Sequence, residues 1–122
     1  MALNLLNVAT VTAVTTYQAP AVTTAVTALT NASASGHIFK VNSIVVANVT
    51  ATTANVTVSV NSAAAGAGTA YRIAYQIAVP AKGTLVLTDK NSFFYLMENQ
   101  SVVITSGTAS ALEYVLSYED MA

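Results

Sequence analysis

Apolar residues recur at every second position through most of residues 37–119, a period that fits strands and no amphipathic helix. Tyr71, Ile73, Tyr75, Ile77 and Val79 alternate with Arg72, Ala74, Gln76 and Ala78, which predicts a half-buried strand. Val56, Val58 and Val60 alternate with Asn55, Thr57, Ser59 and Asn61, and Leu112, Tyr114, Leu116 and Tyr118 with Glu113, Val115, Ser117 and Glu119. Phe39, Val41, Val45, Ala47 and Val49 are expected on one side of a first long strand, while residues 84–88, 93–97 and 101–105 supply shorter ones. Small residues at 62–68 read as a flexible hairpin loop, and Pro80-Ala81-Lys82-Gly83 as a tight turn with Gly83 free to take a positive φ. Seven to eight short strands with regular turns and no good helix predict an all-β fold, an antiparallel β-sandwich or jelly roll.

None of the first 36 residues is Asp, Glu, Lys, Arg or His. Residues 8–30 are a tract of Val, Thr and Ala whose branched side chains suit a pleated strand. Pro20 divides the tract into two extended pieces, and residues 31–36 form a small-residue loop. A free segment of this kind would carry nothing to keep its copies apart. It is expected to be covered, by pairing within the domain or with another subunit. This organisation reads as an extended N-terminal arm at 1–36 that makes inter-subunit contacts, followed by a β-sandwich domain at 37–122.

Composition narrows the function classes. Charged residues make up 7% of the chain and apolar ones 54%, against a usual charged share of about 25%. Lys40, Arg72, Lys82 and Lys90 are scattered and the net charge is -1, which argues against a nucleic-acid partner. No cysteine is present, so neither a disulfide framework nor a thiolate metal site is expected. The leading MALNLL lacks a basic region and a sustained apolar run, so it does not read as a secretory signal. No stretch approaches the ~18 apolar residues of a membrane helix, and no membrane partner is expected.

Groups that could carry chemistry are few. His37 is the single histidine, has no carboxylate near it in sequence, and reads as a capping or surface residue. Asp89, Glu98, Glu113, Glu119 and Asp120 follow no calcium-loop pattern. Asp89 fits a turn, and Glu119-Asp120 a solvated tail. Gly66-Ala67-Gly68 has no lysine or helix after it and so is no phosphate cradle. Four N-x-[ST] triplets begin at Asn31, Asn48, Asn55 and Asn99, unremarked in a chain rich in Ser and Thr. Tyr71, Tyr75, Tyr95, Tyr114 and Tyr118 could line a sugar surface, but the alternation groups most of them with core aliphatic residues, so they read as core or interface aromatics, and tryptophan is absent. The expectation is no enzyme, no catalytic, metal or cofactor residues, and no cofactor.

Ala47-Asn48, the 71–79 strand, the turn at 80–83 followed by Thr84-Leu85-Val86-Leu87, and the segment 96–104 occur in an order that resembles a small β-sandwich domain of tailed-bacteriophage virion proteins, those of cyanophage-like viruses in particular. The resemblance spans roughly residues 37–120 and rests on order and composition; the turn departs from the VPAG type by one inserted lysine, Lys82. It implies a structural role on the particle. The expectation is a capsid decoration (cement) protein, made in the host cytoplasm and located in the virion, that bridges capsid subunits. Its partners would be the major capsid protein or other virion proteins and further copies of itself, with a trimer as one form. A tail, neck or fibre component is the alternative within the particle, and a secreted adhesin or carbohydrate-binding module the alternative of another class.

Overall fold

The computed structural model describes residues 4–19 and 25–122. Pro20 and residues 21–24, the start of the second piece of the Val, Thr and Ala tract, lie outside the described residues. Nine strands follow one another: β1 (Val11–Gln18), β2 (Val26–Asn31), β3 (Ile38–Asn48), β4 (Ala54–Asn61), β5 (Ala70–Val79), β6 (Thr84–Thr88), β7 (Phe94–Leu96), β8 (Gln100–Ser106) and β9 (Leu112–Met121). Single 3-10 turns at Leu5–Asn7 and Ala64–Gly66 are the only helical elements among the described residues. No helix there is long and apolar enough to cross a membrane.

The strands form two antiparallel sheets packed face to face. One has the order β1-β9-β3-β6, with β7 also paired to β3; the other has the order β2-β8-β4-β5. Pairing is nested: β4 with β5, β3 with β6, β2 with β8, β1 with β9. Such nesting is a long hairpin folded over on itself, so the sandwich is a jelly roll. Residues 11–18 and 26–31, both within the stretch read as an arm, are the outer strands β1 and β2 of the two sheets.

Between the sheets lie Val41, Ile44 and Val46 of β3, Val56 and Val58 of β4, Val102 and Ile104 of β8, and Leu112, Tyr114 and Leu116 of β9. Burying each of the larger aliphatic side chains stabilises the fold by about 1.5–3 kcal/mol. β9 follows the sequence alternation, with Leu112, Tyr114 and Leu116 inward and Glu113 and Val115 exposed.

β3 does not follow the expected pattern. Its register against β9 steps from Val41–Tyr118 to Ser43–Ser117, so Asn42 is an extra residue that reverses the faces of everything after it. Phe39 and Val41 face inward as expected, but Ile44 and Val46 then take the core, Val45 and Ala47 turn to the outer face, and Val49 is exposed.

β5 requires a larger correction. The expectation grouped Tyr71, Ile73, Tyr75 and Ile77 with the core aliphatics, whereas all four are exposed, Tyr71 by 66%. Two register shifts against β4 place additional residues on β5, and Gln76 sits at φ 49° beside one of them. β5 is also the rim of its sheet, so even Tyr71 and Ile77, opposite Val60 and Val56, project beyond the cover of the facing sheet. Only Ala74 and Val79 on this strand are buried.

One turn and the C-terminal segment differ as well. The positive φ of the 80–83 turn belongs to Lys82 (56°), not to Gly83, while the amide of Gly83 donates to the Pro80 carbonyl at 2.9 Å. Glu119 and Asp120 are no solvated tail. β9 continues to Met121 between β1 and β3, and both carboxylates are half-buried within it.

Two buried asparagines join the sheets. Asn31 ends β2, and its Nδ2 donates to the carbonyls of His37 (2.9 Å) and Leu96 (3.1 Å) in the opposite sheet. Asn48 ends β3, and its Nδ2 donates to the carbonyls of Thr52 (2.8 Å) and Val79 (3.0 Å), the latter again across the sandwich. Neither side chain is accessible, so the triplets that begin at these residues are structural.

Candidate interaction surface

The potentially reactive groups form one pair. His37 Nδ1 lies 2.6 Å from Asp120 Oδ1, a carboxylate 83 residues away in sequence that β9 brings alongside the start of β3. Sequence reading missed this contact because it took Asp120 for tail. Around the pair, the Phe39 ring meets His37 edge-on (6.3 Å between centroids) and lies tilted against Tyr118 (5.0 Å). Burial, with Asp120 nearby, raises the pKa of the Tyr118 hydroxyl. The contact anchors the entry of β3 to the end of β9. No group of three His, Cys, Asp or Glu side chains that could hold a metal occurs among the described residues.

The other acidic and glycine-containing segments serve local structure. Asp89 Oδ1 accepts from the Asn91 amide and the Ser92 hydroxyl, a turn as expected. The loop at 62–68 is pinned rather than free. Amides of Ala64, Ala65 and Gly66 donate to Asn99 Oδ1 (3.2 Å), Thr30 Oγ1 (3.1 Å) and Ser101 Oγ (2.9 Å) in turn. Asn61 Nδ2 reaches the Gly66 carbonyl at 2.9 Å. The loop therefore lies on the outer face of the β2-β8-β4-β5 sheet, and Ser101 and Val103, which face outward, are buried beneath it.

The other sheet has an open outer face. Across it Tyr17 of β1 opposes Val115 of β9, Val115 opposes Val45 of β3, and Val45 opposes Val86 of β6. This apolar row crosses four of the sheet's five strands, with Tyr17 78% and Val86 58% exposed. The adjacent row is Thr15, Ser117 and Ser43, where the Thr15 and Ser117 hydroxyls are 3.0 Å apart. At the β1 end, the buried Tyr114 hydroxyl, its pKa raised by desolvation, donates to Gln18 Oε1 at 3.2 Å. Val115 was a legible signal, since it is the one apolar residue on the polar side of its alternation. Val45 was assigned to the wrong face by the unseen bulge.

A second apolar feature is an open groove of about 600 Å³ between the rim strand β5 and β6–β7. Tyr71, Ile73, Leu87, Phe94 and Tyr95 line it, with Arg72 and Gln100 as polar groups. Lys40 Nζ sits 4.3 Å above the Phe93 ring, whose edge meets Tyr95 at 5.6 Å, so the basic side chains here cover aromatic surface.

Two exposed apolar features thus stand out among the described residues, the row across the β1-β9-β3-β6 sheet and the groove along β5. Compared with known proteins, it matches no family model and no curated sequence.

Proposed function

We propose that this protein is a bacteriophage virion component, a capsid decoration subunit that stabilises the head by bridging capsid subunits. The observation that carries the reading is the row Tyr17–Val115–Val45–Val86, an exposed apolar stripe bordered by the hydroxyl row of Thr15, Ser117 and Ser43. Such a stripe fits a weak contact repeated many times over a symmetric lattice, where multiplicity supplies the affinity. Burying ~1,000 Å² of mostly apolar surface per subunit would contribute roughly 25 kcal/mol before ordering and association costs remove most of it. Jelly rolls recur among viral capsid domains, a fold-level analogy that supports the reading without fixing it. The test is a reconstruction of the particle together with its protein stoichiometry. Decoration requires density for this chain on the outer capsid lattice in hundreds of copies, as an order-of-magnitude expectation for a lattice protein. A few copies at the neck, tail or fibre would replace decoration with the other virion role.

The aromatic groove beside β5 favours a second reading, a carbohydrate-binding module, because Tyr71, Phe94 and Tyr95 offer ring faces next to Arg72 and Gln100. Saturable binding of isolated protein to a defined glycan, abolished by Tyr71→Ala, would promote it over decoration.

A further inference from the structure

β1 has one partner among the described residues, β9, and its other side is open. The phase of its hydrogen bonds can be read from its start. The Thr10 amide donates to the Ala122 carbonyl at 2.9 Å and the Ala122 amide returns a bond to the Thr10 carbonyl at 3.1 Å. Hydrogen-bonded and non-hydrogen-bonded pairs alternate along an antiparallel ladder, and the register runs unbroken from Val11–Met121 to Gln18–Tyr114. Thr12, Val14, Thr16 and Gln18 therefore bond to β9. Val11, Ala13, Thr15 and Tyr17 aim their N–H and C=O groups at the open side.

Natural edge strands are usually blunted by charge, proline, a bulge or shortness. The other outer strands show such features, and β7 has only three residues. β2, β5 and β6 each have a register shift against their neighbour, and β6 has five residues. β1 has eight residues, no charge, no proline and no register shift. It is the regular, undefended edge of this sandwich.

We propose that a second copy of this chain occupies that edge, with β1 pairing antiparallel to its counterpart about a two-fold axis at Val14. In a continuous sheet, opposed residues share a face, so the axis must fall on a residue position and not between two. Centred on Val14, the register sets Val11 opposite Tyr17, Ala13 opposite Thr15 and Thr12 opposite Thr16, each pair occurring twice. All four outward-aimed amides of each copy are then used, four from each side making eight hydrogen bonds. Centred on Thr15 instead, Val11 falls beyond its partner strand and three amides per copy are used.

Side chains favour the same arrangement. Val11 and Tyr17 are the exposed large apolar residues of β1, 59% and 78% accessible, and this register packs each against the other. Aromatic with β-branched is a favourable cross-strand pairing, and no like charges are opposed. Thr16 Oγ1, which has no hydrogen-bond partner among the described residues, comes opposite the Thr12 hydroxyl of the second copy. The product is a ten-stranded sheet, β6-β3-β9-β1 continued by β1-β9-β3-β6 with β7 beside β3 in each copy, and its interface is isologous. This inference concerns the isolated chain and does not depend on the virion reading. A single strand edge is smaller than the ~800 Å² per partner of a stable interface, so monomer and dimer should exchange in solution.

Sedimentation equilibrium of the whole chain tests the dimer, and an introduced cysteine tests its register. The average mass should climb with concentration from 12.5 kDa toward twice that value. A monomer at about 1 mM, where even a millimolar pair associates substantially, would overturn the proposal. Since the chain has no cysteine of its own, Val14→Cys should give a disulfide-linked dimer under mild oxidation. Val14 meets its counterpart as a non-hydrogen-bonded pair, whose close Cβ atoms suit the bond. Thr15→Cys, opposite Ala13 of the other copy, should crosslink at least tenfold more slowly; the reverse order would overturn the Val14 register. Ala13→Pro removes an N–H aimed at the open side and none bonded to β9, and should abolish association. If that variant does not fold, Ala13→Lys leaves the backbone intact and sets a charge on the edge. Association of Ala13→Lys equal to the parent would refute edge pairing.

Discussion

Replacing Asn48 by alanine tests how the two sheets are held together at the end of β3. Its Nδ2 bond to the Val79 carbonyl is fully buried, at 3.0 Å, and removing a donor from a buried acceptor costs about 1–3 kcal/mol. The bond to the Thr52 carbonyl is only partly buried (2.8 Å), so water can replace it and the loss is nearer ~1 kcal/mol. Asn48 Oδ1 also accepts from the Thr50 amide (2.9 Å) and hydroxyl (2.7 Å), which organise the turn into β4. Losing both adds up to roughly 1 kcal/mol at this more exposed site. Together these give about 3–5 kcal/mol, a large part of the ~6–18 kcal/mol expected for a domain of this size. Urea unfolding followed by far-UV circular dichroism would measure the difference, with Asn55→Ala as an exposed control expected within about 0.5 kcal/mol of the parent. If Asn48→Ala also falls within that margin, the inter-sheet bond contributes nothing and the reasoning fails.

Other outcomes follow from single sites. Gly66→Ala should destabilise by about 1–3 kcal/mol, because φ is +75° and an added Cβ would lie 2.8 Å from Thr27 Oγ1; thermal melting checks it, and no change would show that the 62–68 loop can lift from β2. Lys82→Gly should stabilise by up to about 1 kcal/mol by relieving a left-handed lysine, read as a rise in urea midpoint at unchanged slope. Tyr114 and Tyr118 have raised pKa values, so the folded state holds their protons more tightly than the unfolded chain. Their contribution is level below the ordinary value of 10.0 and stability falls as pH rises above it. Tyr114→Phe should shallow that alkaline decline, and an unchanged slope would rule the residue out as a source. Val86→Lys, at the β6 end of the apolar row, should leave the fold intact and weaken particle binding at least tenfold; undiminished binding would remove the row from the proposed contact.

Strands were legible where a single face stayed in register. Thr84–Thr88 was read with the bounds observed, and the inward set Leu112, Tyr114 and Leu116 with its face. Faces were lost where one residue was inserted. Asn42 looks like any polar strand residue, yet it exchanges the roles of Val45 and Val46. On β5 the alternation failed for the same reason, since two extra residues break it and bury Ala74 instead of its neighbours, and a rim strand has no facing sheet beyond it, so Tyr71 and Tyr75 remain outside. Position within a sheet is set by distant pairing and leaves no local trace. The same holds for His37 with Asp120, and for Asn31 and Asn48, whose structural role was not legible because carbonyls they bind lie in the opposite sheet.

The nested order of pairing also governs how the chain is born. β4 and β5 are neighbours and can close as soon as both are made, but Val11 must await Met121. At a synthesis rate of ~5–20 residues per second, that leaves β1 without its sheet for roughly 5–20 s. Through this interval the longest uncharged stretch of the molecule is exposed on the ribosome, beside identical chains on the same message. Slower translation or warmer growth should therefore shift nascent protein toward inclusion bodies, and a chaperone that grips uncharged extended segments should bring it back.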